Sequence, residues 1–221
     1  LGRYAEAEPL YLRSLAIRES VFGPDHPDVA VSLNNLAMLY NSQARYAEME
    51  PLYLRALAIY EMALGPDHPD VAQTLNNLAA LYDTQGKYAK AEPLYKRALA
   101  INEQALGLNH PKLVEELDKL ARFYESRERY AEAATLYRRA LAVRENALGA
   151  EHGEVARNLD ELAGSLIAAG QTADLEEGPA RERSRAVFFS PHSSISTLLP
   201  LPCKHKKGAL FPGEIADAAA R

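Results

Sequence analysis

The sequence predicts an all-α array of antiparallel helix hairpins stacked unit on unit, and three observations carry that reading. The first is a period of 42 residues. It relates Tyr4, Tyr46, Tyr88 and Tyr130, then Leu10, Leu52, Leu94 and Leu136, then Tyr11, Tyr53, Tyr95 and Tyr137. Gly23, Gly65, Gly107 and Gly149 keep it too, as do His26, His68, His110 and His152. A spacing held in several registers at once is the signature of a stacked repeat. The second is a helical apolar stripe inside each period, Leu33, Leu36, Ala37 and Tyr40, which is the i, i+3, i+4, i+7 pattern of one helix face. The third is the punctuation between stripes, glycine where a helix should stop and Asp-His-Pro-Asp where the next should start.

One unit, Gly23 to Leu64, illustrates the elements in order. Gly23 suits a helix C-terminus, where a left-handed residue is common. In Asp25-His26-Pro27-Asp28 an Asp or His side chain can cap, Pro suits the first turn, and acids favour the positive end of the dipole. A first helix is expected over Pro27–Gln43 and a break over Gln43–Arg45. A second helix is expected over Tyr46–Leu64, burying Tyr46, Met49, Tyr53, Ala56 and Leu57. Pro9, Pro51 and Pro93 lie about five residues into the second helices. An interior proline costs roughly 3 kcal/mol, so a kink or a loosened first turn is expected there.

A single hairpin cannot bury its own stripe, and about three units are needed for stability. Three complete units start near Asp25, Asp67 and Asn109. A lone second helix precedes them over residues 2–22, and a lone first helix follows over residues 151–169. The array is placed at residues 1–177 and is expected to be truncated at its N-terminus. After Gly170 the repeat dissolves: Thr172 stands where a tyrosine is due, and Gly178-Pro179 is read as a helix end. Residues 178–221 are expected to form a disordered or loosely packed tail, rich in Pro and Ser and carrying Lys204, Lys206 and Lys207.

Composition narrows the function classes. Residues 1–177 carry 18 Lys+Arg against 27 Asp+Glu, a net of −9, while residues 178–221 carry 7 against 3. An acidic body argues against a nucleic-acid surface, which needs clustered positive charge. The lone cysteine, Cys203, can form no internal disulfide. No apolar run approaches the roughly 20 residues of a membrane helix. A cytoplasmic, non-membrane protein is expected. The four histidines fall in successive hairpin loops, each in a different neighbourhood, and so read as helix-start or loop-packing residues rather than metal ligands. Glu115-Glu116 and Glu176-Glu177 read as solvated faces, and the tyrosines as core. No phosphate loop, nucleophile elbow or zinc spacing is present. Neither enzyme activity nor a cofactor or metal is expected.

The string VSLNNLAMLYNSQARYAEMEPLYLRALAIYEMALGPDHPDVA resembles a tetratricopeptide repeat. The pattern of large, small and aromatic positions falls on Leu33, Leu36, Ala37 and Tyr40, then on Met49, Tyr53 and Ala56. Met49 departs from the usual small residue, which Ala7, Ala91 and Ala133 supply elsewhere. The longer 42-residue period with LNNLA and LGPDHPD resembles the repeats of kinesin light chain. The resemblance covers about residues 1–170 and implies a right-handed superhelical solenoid, with an irregular tail after it.

The resemblance also implies a peptide-binding groove lined by the first helices. Its positions here are Asn34, Met38 and Asn41, then Asn76, Ala80 and Asp83, then Asp118, Arg122 and Glu125, with Val31, Gln73 and Glu115 at the edge. An asparagine amide both donates and accepts, so Asn34 and Asn76 are expected to clamp a peptide backbone. Asp118 and Asp160 occupy the same position further on and are expected to turn the groove acidic, against Arg122. The expected partner is a protein or peptide of basic or mixed charge. The groove lacks the Lys and Asn set with which some relatives grip a chaperone's C-terminal carboxylate. Two alternatives stand beside this scaffold reading. One is an oligomerising module that self-associates through open repeat ends. The other is the repeat portion of a larger signalling or effector protein whose catalysis lies elsewhere.

Overall fold

The computed structural model describes the backbone of residues 3–187 and the side chains as far as Gly170. The chain divides into Leu1–Pro179 and Ala180–Arg221, and all packing below lies within the first unit. The described residues are helical, with no strand. The second helices are α1 (Tyr4–Phe22), α3 (Tyr46–Leu64), α5 (Tyr88–Leu106) and α7 (Tyr130–Leu148). The first helices are α2 (Pro27–Ser42), α4 (Pro69–Thr84), α6 (Leu113–Glu125) and α8 (Gly153–Val187).

The histidines start the first helices. In each case Nδ1 accepts a hydrogen bond from the backbone N–H two residues on: Asp28, Asp70, Lys112 and Glu154, all at 3.2 Å. The lone pair is thereby engaged at the helix start; His26 and His68 are the N-caps of α2 and α4, whereas α6 begins later, with Lys112 as its N-cap. The glycines stop the second helices. Gly23, Gly65, Gly107 and Gly149 have φ of 86 to 92° with ψ of 153 to 163°. This is extended backbone at positive φ, a region open essentially to glycine alone, and not the left-handed helical cap foreseen. The tight turn between the two helices of a hairpin also needs positive φ, at Ala44 (56°), Gly86 (72°) and Glu128 (59°).

The prolines are carried inside continuous helices. α1, α3 and α5 begin at Tyr4, Tyr46 and Tyr88, five residues ahead of Pro9, Pro51 and Pro93, so none of them starts late. The reading of Gly178-Pro179 as a helix end is corrected in the same way, because the α8 backbone runs on to Val187. A proline removes one N–H and so one bond of the ladder, which weakens a helix without ending it. The rest of the expected tail, including Cys203 and the lysines after it, lies outside the described residues.

The foreseen stripe is the core. Leu33, Leu36, Ala37, Tyr40, Met49, Tyr53 and Ala56 are buried. Tyr46 and Leu57 are only half-buried, and Ile59 and Tyr60 take the deep positions instead. Each hairpin shares this core with its neighbours, from Leu36 in α2 through Tyr95 in α5 to Tyr137 in α7. α1 lacks a first helix before it among the described residues. Tyr11 is therefore 37% exposed where its equivalent Tyr53 is 3%, and Ile17 is 52% exposed where Ile59 is 3%.

A polar clamp repeats on one edge of the joints. Glu8 accepts from Tyr40 Oη (3.1 Å) and Arg45 Nη1 (2.7 Å). Glu50 accepts from Tyr82 Oη (3.0 Å) and Lys87 Nζ (3.2 Å), and Glu92 from Tyr124 Oη (3.2 Å) and Arg129 Nη1 (2.7 Å). The cation also lies over its tyrosine ring each time. Arg129, followed by Lys96, holds the Glu92 carboxyl down to about 2. The clamp ends after three joints, where Ala134 replaces the glutamate and Leu166 the tyrosine.

Candidate functional site

An open groove of about 1180 Å3 runs across the first helices. Of the twelve residues expected to line it or its edge, six do: Met38, Gln73, Asn76, Glu115, Asp118 and Arg122. Val31, Asn41 and Ala80 are exposed but lie off this groove. Asn34, Asp83 and Glu125 are tied into the packing. Asn34 donates from Nδ2 to Thr74 Oγ1 at 3.1 Å. Asp83 pairs with Arg127, whose guanidinium stacks on Tyr88 and Phe123. Glu125 accepts from Tyr137 Oη at 2.9 Å and from Ser165 Oγ at 2.8 Å.

The residues at the position shared by Asn34, Asn76 and Asp118 each have an internal partner. Asn34 reaches Thr74, and Asn76 Nδ2 reaches Glu116 Oε1 at 3.3 Å, each 40 residues on. Asp118 is 5% exposed and held by two bonds from Arg144, Nη1 to Oδ1 at 3.3 Å and Nη2 to Oδ2 at 2.5 Å. Asp118 is therefore no free acid, and its pairing removes the main source of the acidic groove foreseen. The amide free to meet a ligand is one residue further on. Asn77 is half-buried, lines the groove and makes no side-chain hydrogen bond among the described residues.

Sequence reading missed the contribution of the second helices. Asn102 and Leu106 from α5, and Arg144, Ala147 and Leu148 from α7, form one wall. The charges there are balanced: Asp70, Glu115, Glu116, Asp118 and Glu154 against Lys112, Lys119, Arg122, Arg144 and Arg157. Most are already paired, Glu115 with Lys119 at 2.7 Å, Glu154 with Arg157, and Arg122 with Glu161 at 3.3 Å. No metal-binding cluster occurs among the described residues. No described helix is long and apolar enough to cross a membrane.

Tetratricopeptide repeat models match residues 1–48, 32–104 and 117–154. The chain belongs to the tetratricopeptide repeat family. Solved structures of the same fold include BtubC (BKLC) from P. vanneervenii, at 24% identity and TM-score 0.69, with 92% of this chain and 82% of that one covered. A Podosopora anserina protein of the kinesin light chain type, with nearly identical TPR-like repeats, aligns at 27% identity and TM-score 0.68. There 84% of this chain and 87% of that one are covered. No curated protein matches the sequence significantly. Tetratricopeptide repeats generally mediate protein–protein interaction and are generally non-catalytic.

One tetratricopeptide joint holds a titratable group with a measurable consequence. Burial pushes the Glu116 carboxyl above its ordinary range, against the lowering effect of the Asn102 bond and of Lys119. A carboxyl raised in the folded state binds its proton more tightly there than in the unfolded chain. Its contribution to stability is full below the unfolded value and is lost as pH rises through the raised one. Glu116→Gln is thus expected to gain stability relative to wild type between acid and neutral pH. Thermal melts across that range check it, and a difference that does not change with pH would contradict it.

Proposed function

We propose that this array holds an extended peptide segment of a partner protein along the groove between α4 and α6, and acts by binding rather than catalysis. The observation that carries the reading is the groove itself. It is long, open and charge-balanced, with the amide of Asn77 unengaged and apolar ground at Met38, Leu106 and Val114. An amide can satisfy a peptide backbone whatever its side chains. Paired charges on both walls favour a mixed-charge peptide over a purely acidic or basic one. A cytoplasmic setting accords with such a scaffold.

The test is peptide display on the full chain, repeated with Gln73→Arg plus Asn77→Arg. Both positions line the groove and neither carries an internal ion pair. Enriched peptides are expected to lose about tenfold or more in affinity for the double variant. Peptides that bind both forms equally would place recognition elsewhere. A second reading is favoured by the exposed apolar residues of α1, with Tyr11 and Ile17 uncovered where Tyr53 and Ile59 are buried. Those residues suit end-to-end stacking on another repeat, and a mass that rises with concentration would support it.

A further inference from the structure

We infer that the groove contains a seat for one cationic side chain of its peptide, formed by Glu116 with Asn76 and Asn102. The inference rests on the peptide-groove reading above and adds the charge that the ligand must bring. Three helices converge at this point: Asn76 from α4, Asn102 from α5 and Glu116 from α6, and all three residues line the groove. Both amides donate to the same carboxylate oxygen, Oε1. The other, Oε2, is buried with no donor.

Charge accounting sets Glu116 apart. Among the groove carboxylates, Glu115 has Lys119, Asp118 has Arg144 and Glu154 has Arg157, while the Asp70 side chain is half exposed to water, 49%, and needs no counter-ion. Glu116 has no cation within ion-pair distance among the described residues. The equivalent residues of the other joints carry no such debt. Ser32 is neutral and accepts from Arg18 at 2.7 Å, Thr74 is neutral and accepts from Asn34, and Asn158 is an amide. At this position of the repeat the unmatched charge is thus confined to Glu116, which lines the groove.

A carboxylate drawn partly out of water without a counterion is destabilised, and a cation delivered by a ligand reverses that. The Oδ1 atoms of Asn76 and Asn102 accept no hydrogen bond among the described residues. A guanidinium, with five N–H donors in a planar fork, matches a carboxylate better than an ammonium does.

The test selects peptides from a random display library on the full wild-type chain at neutral pH. Selected peptides are then measured by fluorescence anisotropy on wild type and Glu116→Gln, each as selected and with its cation replaced by Gln. The expected result is a recurrent Arg or Lys at one register. Its loss should weaken binding to wild type by about tenfold or more, and binding to Glu116→Gln by about threefold or less. Peptides that depend on the groove, failing on Gln73→Arg plus Asn77→Arg, yet carry no recurrent cation would overturn this inference and leave the groove reading intact. So would a cation whose loss costs both proteins equally. A library that yields no groove-dependent binder overturns both readings together.

Discussion

Arg144→Met alone is expected to cost the array about 3–5 kcal/mol, because it leaves Asp118 buried without a counter-charge. The side chains of Arg144 and Asp118 are 5% and 7% exposed, and the fork engages both carboxylate oxygens. Water cannot easily take over that role between α6 and α7. Removing both charges is a different experiment. Arg144→Met combined with Asp118→Leu replaces the pair by apolar groups of similar size, and such replacements are often neutral or stabilising. The expectation is that the double variant recovers most of the loss. Urea unfolding of the wild type, the two single variants and the double variant closes the cycle. A single-variant cost below about 1 kcal/mol would mark the pair as surface-like, and would show that water reaches Asp118 despite its low exposure.

The same pair explains where sequence reading succeeded and where it failed. The 42-residue period compares each residue with its equivalents, and equivalence is what packing requires. Leu33, Leu75 and Leu117 are all buried because each meets the same surroundings. The histidine caps and glycine stops were legible for that reason, since each acts within a few residues of its own backbone. The groove positions were assigned by resemblance, from their place on the first helices. Yet Asn34, Asn76 and Asp118 each have an internal partner, Asn34 and Asn76 in the next unit and Asp118 within its own hairpin. Asn34 meets a threonine, Asn76 a glutamate, and Asp118 an arginine 26 residues on. Those partners stand at other positions of the repeat, so comparing equivalents does not bring them together. Glu8, Glu50 and Glu92 were legible by period but went unremarked, since their partners lie 32 and 37 residues away. The groove wall from α5 and α7 was not legible at all, because it depends on how the helices cross.

Tyr137→Ala carries the second large expectation, a loss of about 3–5 kcal/mol. Tyr137 is fully buried and heads the largest enclosed side chains of the chain. Its hydroxyl donates to Glu125, which also holds Ser165 of α8, so the residue ties α7 to α6 and, through the carboxylate, to the last helix. Burial, then Glu125, raises the phenol above its ordinary range, so it stays protonated and able to donate at neutral pH. Tyr137→Phe keeps the ring and removes only the donor, and is expected to cost about 1 kcal/mol. The repeat supplies an internal control in Tyr53. It is equally buried but has no hydroxyl bond, and burial alone pushes it up to about 12. Tyr53→Phe should therefore be close to neutral. In an array where each unit is stabilised by its neighbours, a large local loss separates the flanking units into independent transitions. Tyr137→Ala is accordingly expected to unfold α7 and α8 at lower urea than α2 to α5, seen as a second step in the far-ultraviolet signal. A single transition shifted as a whole would mean that cooperativity spans the chain and survives the cavity.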